Sequence, residues 1–68
     1  MSNFGSAVKT LRVTLGLSQA KFGEAVGVKR SCVSKWELGK GKPSAKHYVQ
    51  IVAVAKKTDL KIDWSIFI

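Results

Sequence analysis

The chain has 68 residues, of which 46% are hydrophobic and 24% are charged, and 12 lysines or arginines against four acidic residues give it a net charge of +8. This length and composition fit one small folded domain, residues 1–68, and exclude a disordered chain dominated by charge. A positive charge this large on so few residues indicates a polyanionic partner.

The residue types that build many functional sites are scarce. Cys32 is the single cysteine and His47 the single histidine, beside four carboxylates. We therefore expect no disulfide, no structural metal site and no cofactor, and no cluster that could serve as acid, base and nucleophile of an enzyme. No segment has the pattern of a signal peptide or the length of a membrane span, which predicts a cytoplasmic protein.

Two helices are predicted in the first part of the chain. The first is indicated by apolar residues at helical spacing, which are Phe4, Val8, Leu11 and Leu15. Ser2 or Asn3 can cap its start, and Gly16 can end it in a left-handed turn. The second helix is predicted to begin after Ser18 as N-cap and to end at Gly27. Its inward residues are Phe22, Gly23 and Val26.

A third helix, from about Lys29 to Glu37, is predicted to pack sharply against the second. Only one residue separates Gly27 from Lys29, which is the short link of a helix-turn-helix. Helical spacing places Val33 and Trp36 on the core side. The residues expected on the free face are polar or cationic, namely Arg30, Ser31, Ser34 and Lys35.

A fourth helix is predicted after a short basic loop. Gly39 ends the third helix, Lys40 to Pro43 form the loop, and Ser44 caps the next helix. Its predicted apolar face consists of Tyr48, Ile51, Val52 and Ala55. The helical core is therefore expected to span residues 4–55.

The last residues, 58–68, are predicted to form a dimerisation tail. Apolar residues recur there at every second position, as in a β-strand: Leu60, Ile62, Trp64, Ile66 and Ile68. Trp64, Phe67 and Ile68 also fit helical spacing, so a short fifth helix is the alternative. Because a lone apolar strand is unstable in water, we expect it to pair with the same strand of a second chain.

A set of residues in order carries a resemblance to a known family: Gly16-Leu17-Ser18-Gln19, Phe22-Gly23, Gly27-Val28, Val33-Ser34, Trp36-Glu37, Gly39 and Pro43. With them the chain resembles the Cro and lambda-repressor-like helix-turn-helix family, also called the XRE family, over about residues 4 to 55. The resemblance implies a mainly α, lambda-repressor-like domain of four helices. Gly23 departs from the family's usual alanine, at a cost in helix propensity of about 1 kcal/mol. The strand-like tail departs from the usual fifth helix.

The resemblance also implies two sets of DNA contacts. Its base-reading positions match Arg30, Ser31 and Lys35, with Ser34 on the same face, and arginine or lysine can donate to guanine in the major groove. Gln19 matches a phosphate-contacting position at the start of the second helix. Lys40 and Lys42 lie in the loop that follows the DNA backbone in relatives, and Lys29 is expected to contribute to the phosphate contacts as well.

Further positions are expected to support the recognition helix. Arg12 and Glu37 match a pair that forms a salt bridge between helices one and three in relatives, although two unrelated surface charges are the alternative. Val33 and Trp36 would seat the same helix in the core. Cys32 is expected to fill space on the third helix rather than to sense redox state. His47 is expected to lie at the surface.

These expectations favour a transcriptional repressor of the phage Cro type without a small-molecule ligand. Two chains would bind a palindromic double-stranded DNA operator, with their recognition helices about 34 Å apart in successive major grooves. The alternatives are an antitoxin or antirepressor that binds a toxin or repressor protein and regulates its own operon, and a restriction-modification controller protein. The short, core-facing helices do not fit membrane binding.

Overall fold

The computed structural model describes residues 4–58, which fold as four helices. They are α1 (Phe4–Thr14), α2 (Gln19–Val26), α3 (Arg30–Glu37) and α4 (Ala45–Ala55). This confirms the four predicted helices. The candidate caps Ser2 and Asn3 and the predicted dimerisation strand, Leu60 to Ile68, lie outside the described residues.

The predicted caps set the ends of α2 and the start of α4. Ser18 Oγ accepts a hydrogen bond of 3.1 Å from the Lys21 N–H, and Gly27 ends α2 in the left-handed conformation at a φ of 82°. Ser44 caps α4 in the same way as Ser18 caps α2. At α3 the extended N-cap is Lys29, so the helix begins one residue later than the sequence suggested. Local capping therefore sets both ends of α2 and the start of α4.

The core lies where the four helices meet. Its largest fully buried side chains are Phe22, Leu11, Ile51, Val8, Val26 and Val33. The predicted apolar face of α4 contacts the core, since Ile51 and Ala55 are buried and Tyr48 and Val52 pack half-buried against it. Val54, which was not predicted, is buried as well. The second half of α4 is apolar on every side, so spacing alone could not fix which residues face inward.

Gly23 allows the turn before α3 to lie directly on α2. A Cβ atom at this position would stand 2.6 Å from the carbonyl oxygen of Val28. An alanine, which the resemblance would place there, requires α2 and the turn to move apart. Gly23 thus lowers the helix propensity of α2 and permits a closer contact between α2 and α3.

Gly5 makes a similar close approach between α1 and the last turn of α3. A Cβ atom on it would overlap the carbonyl oxygen of Trp36 and lie 2.8 Å from that of Glu37. Because both are backbone atoms, neither can rotate away. We expect Gly5→Ala to lower the free energy of unfolding by about 1–2 kcal/mol, measured by urea unfolding.

Gly41→Ala is the matched control for this prediction. A Cβ atom there meets no heavy atom within 4 Å, and Gly41 does not have a positive φ. Its substitution should leave stability unchanged or raise it slightly, by about 0.5 kcal/mol, because alanine restricts the unfolded chain. If the two substitutions changed the free energy of unfolding equally, the close approach at Gly5 would make no contribution to stability.

Candidate nucleic-acid interface

Helix α3 has one buried side and one exposed side. Val33 and Trp36 are 0% and 2% exposed and fix the helix in the core. Arg30, Ser31 and Lys35 are exposed. The free face predicted for α3 therefore presents two cationic side chains and one hydroxyl, on a helix whose opposite side is held by packing.

Ser34 differs from the prediction because it is half-buried. It lies one turn after Arg30 on the same side of α3. Ser34 is therefore less accessible than Arg30, Ser31 and Lys35. Cys32 is likewise half-buried and has a free thiol.

The aromatic ring of Trp36 contacts residues of two other helices. Phe4 meets it edge-on at a centroid distance of 6.1 Å, and the His47 ring lies tilted at 6.3 Å. His47 was predicted only as a surface residue; it is half-buried, with its ring beside Trp36 and its Nδ1 3.2 Å from Ser44 Oγ. Contacts from α1 and α4 thus hold α3 in place.

The Glu37 carboxylate receives hydrogen bonds from two other helices. Arg12 donates through Nε to Oε2 at 2.7 Å and through Nη2 to Oε1 at 3.2 Å. Gln19 Nε2 also donates to Oε1, at 3.2 Å. The Arg12 and Glu37 side chains are only 15% and 7% exposed, so these are not two unrelated surface charges.

A further bond extends this cluster to the link between α1 and α2. Arg12 Nη1 donates to the carbonyl oxygen of Leu17 at 2.9 Å. Arg12 therefore contacts the segment before α2 as well as the last turn of α3. We call Arg12, Gln19 and Glu37 the charge cluster; it joins three helices through one carboxylate and one guanidinium.

Within the charge cluster, Arg12 neutralises Glu37, the one acidic residue of α3. The hydrogen bond to Glu37 raises the pKa of Arg12, against the lowering effect of partial burial, and the attraction of the two charges raises it further. Arg12 is thus a permanent cation, and its bidentate contact neutralises Glu37.

The sequence did not indicate the bond between Gln19 and Glu37. Gln19 was predicted only as a phosphate contact, yet the structure places its side chain half-buried against the carboxylate. These residues are 18 positions apart, and helical spacing reports nothing about such a contact. An amide nitrogen carries two hydrogens, so the bond leaves Gln19 able to donate a second one.

Exposed cations are concentrated in α3 and the segments that flank it in the chain. Between residues 29 and 46 they are Lys29, Arg30, Lys35, Lys40, Lys42 and Lys46, and Glu37 is the only acid in that stretch. Lys29 makes no side-chain cap bond, so the first amides of α3 have no side-chain acceptor from their N-cap. Exposed cations favour an anionic ligand, and so do backbone N–H groups at a helix start that lack a side-chain acceptor.

Comparison with known proteins assigns the chain to a family. Residues 8–64 match the sequence model of the helix-turn-helix family. No curated protein sequence and no solved structure matches the chain. None of the helices within residues 4–58 is long and apolar enough to cross a membrane, and this part of the chain holds no group of three or more potential metal ligands.

Proposed function

Because the chain belongs to the XRE-type helix-turn-helix family of DNA-binding transcription regulators, we propose that it is a sequence-specific repressor of the Cro type. It binds a palindromic operator as a homodimer. The observation that carries this proposal is the exposed, cationic side of α3 opposite the buried side chains of Val33 and Trp36.

In this proposal the free face of α3 enters the major groove. An α-helix fits the groove, which is about 12 Å wide, and Arg30 and Lys35 can donate to guanine O6 and N7 there. Ser31 accepts or donates and so tolerates more than one base. Ser34, half-buried one turn after Arg30, contributes to the same contact. Packing of the opposite side fixes the depth at which these side chains reach the bases.

The same proposal gives the DNA backbone contacts to residues around α3. They are Gln19, Lys29, Lys40 and Lys42, of which the three lysines are exposed. Contacts of this kind orient a protein on duplex DNA without reading its sequence.

We expect the double variant Lys40→Ala, Lys42→Ala to weaken binding to every duplex by a similar factor. Each lost phosphate contact should reduce the slope of log affinity against log salt concentration by about 0.9. The measurement is fluorescence anisotropy over a series of salt concentrations. The control variant Lys56→Ala, Lys57→Ala removes the same charge beyond α4 and should change the slope far less; equal slopes for the two variants would contradict the loop's contact with DNA.

Dimerisation is assigned in this proposal to the tail, through Leu60, Ile62, Trp64, Ile66 and Ile68. The alternation of apolar residues supports strand pairing between two copies. A two-fold axis would then place the two α3 helices about 34 Å apart, one turn of duplex DNA.

Selection of bound sequences from a random duplex pool tests the proposed function. We expect a palindromic motif whose half-sites are centred about 10 base pairs apart. The selected duplex should bind at least about 1,000-fold more tightly than a scrambled one at physiological salt. Equal affinities would contradict a sequence-specific repressor, and recovery of a single half-site would contradict the dimer.

A second candidate function is an antitoxin or antirepressor that also binds a partner protein. An apolar strip on α4 favours it, since Ala45, Val49 and Ala53 are spaced four residues apart and all exposed, Val49 by 63%. This role would be supported by a protein that co-purifies with the native chain at fixed stoichiometry. The Val49→Glu variant should lose that protein and keep its affinity for DNA. If the partner protein still co-purified with the Val49→Glu variant, the strip on α4 would not be its binding site.

A further inference from the structure

Gln19 is held by the charge cluster before any ligand binds. It is the first residue of α2, and its Nε2 donates to Glu37 Oε1 at 3.2 Å. The same oxygen accepts from Arg12 Nη2, and the other carboxylate oxygen accepts from Arg12 Nε. The Glu37 side chain is 7% exposed, so this acceptor has little freedom to move.

An anchored glutamine can bind a phosphate at lower entropic cost than a free one. A free glutamine side chain samples many rotamers, and binding would have to order it. Here one amide hydrogen is engaged by a carboxylate, a bond to a charged group and therefore comparatively strong. The second hydrogen on the same nitrogen remains for a phosphate oxygen.

A carboxylate one side chain away from a phosphate would ordinarily repel it. In the charge cluster that repulsion is offset, because Arg12 forms a bidentate pair with Glu37 at 2.7 and 3.2 Å. The acid can thus serve as an anchor without opposing the approach of DNA.

We infer that Glu37 is a positioning residue for the DNA backbone contact of Gln19. The Glu37 carboxylate holds the Gln19 side-chain amide in place, so that the phosphate-binding N–H of Gln19 is fixed relative to α3. The inference rests on the proposed function, because the phosphate contact of Gln19 is part of that proposal.

The experiment is a cycle of variants measured by binding to the selected duplex. Gln19→Ala is made in the native protein and in the double variant R12M/E37L, which removes the anchor together with its counter-charge. Replacing both charges by apolar side chains of similar size preserves stability better than removing one. Urea unfolding of each variant establishes that it is folded.

In the native protein we expect Gln19→Ala to reduce affinity about tenfold, as for a lost hydrogen bond to a charged group. In R12M/E37L the same substitution should reduce affinity less than about twofold, because the amide is no longer positioned. Lys40→Ala is the control substitution, and its effect should be the same in both backgrounds. A general loss of the DNA-binding fold would change the effects of both substitutions and not that of Gln19→Ala alone.

An equal loss on Gln19→Ala in both backgrounds overturns the inference, and so does the absence of any loss in the native protein. Both outcomes leave the proposed function intact if the native protein still distinguishes the selected duplex from the scrambled one. Failure of that discrimination overturns the proposed function and the inference with it.

Discussion

Replacing Arg30 and Lys35 together with alanine should lower affinity for the selected duplex about 100-fold or more at constant salt. Both side chains are exposed on α3, and a good base contact contributes about 1–3 kcal/mol of discrimination. Affinity for a scrambled duplex should fall much less, because only charge is lost there. Anisotropy titrations of both duplexes measure the difference.

Two further variants separate base reading from charge. Lys56→Ala, Lys57→Ala removes two cations outside α2, α3 and the basic loop, and should leave discrimination between the duplexes unchanged. Arg30→Lys keeps the charge but loses the planar pair of donors, and should relax selectivity at one base pair. If the Arg30 and Lys35 variant bound both duplexes as the native protein does, α3 would not be the reading element.

Arg12→Met should lower the free energy of unfolding by about 3 kcal/mol, because it leaves the Glu37 carboxylate buried without its partner. The Glu37 side chain is only 7% exposed, and among residues 4–58 Gln19 would be its one remaining side-chain donor. A chain of 68 residues has a total stability of roughly 3–10 kcal/mol, so the loss is severe. Urea unfolding at neutral pH measures it.

The double variant R12M/E37L provides the control for this result. It removes both charges, so no unpaired ion is left inside, and most of the lost stability should return. A single variant as stable as the native protein would show that the contact is an ordinary surface salt bridge. Failure of the double variant to recover stability would instead assign the loss to packing of the arginine side chain.

The helices could be predicted because their boundaries depend on residues close together in the chain. Ser18 and Gly27 bound α2 as expected, since capping and a positive φ are properties of a few neighbouring residues. The turn between Gly27 and Lys29 followed from the same local reasoning. The family resemblance added the Arg12–Glu37 pair, which spacing alone would not have indicated.

The features that were missed are contacts between distant parts of the chain. Gly5 lies against the end of α3, Gln19 binds Glu37, and the His47 ring packs beside Trp36. None of these contacts produces a periodic pattern in the sequence. Each depends on how two helices approach one another, which is fixed only when the whole core is assembled.

Two different kinds of interaction thus hold α3 in the domain. Apolar burial of Val33 and Trp36 sets how the helix sits in the domain. The charge cluster ties its last turn to α1 and α2. In the proposed complex the first would control the depth of base contacts and the second the register with the DNA backbone.

Mapping of DNA-induced chemical-shift changes in the isotope-labelled protein tests most directly whether this side of the domain binds operator DNA. On addition of the selected duplex, the largest changes are predicted at Gln19 and along the exposed face of α3, from Arg30 to Lys35. The C-terminal half of α4 should change little. Changes concentrated on α4, with the amides of α3 unaffected, would contradict the account.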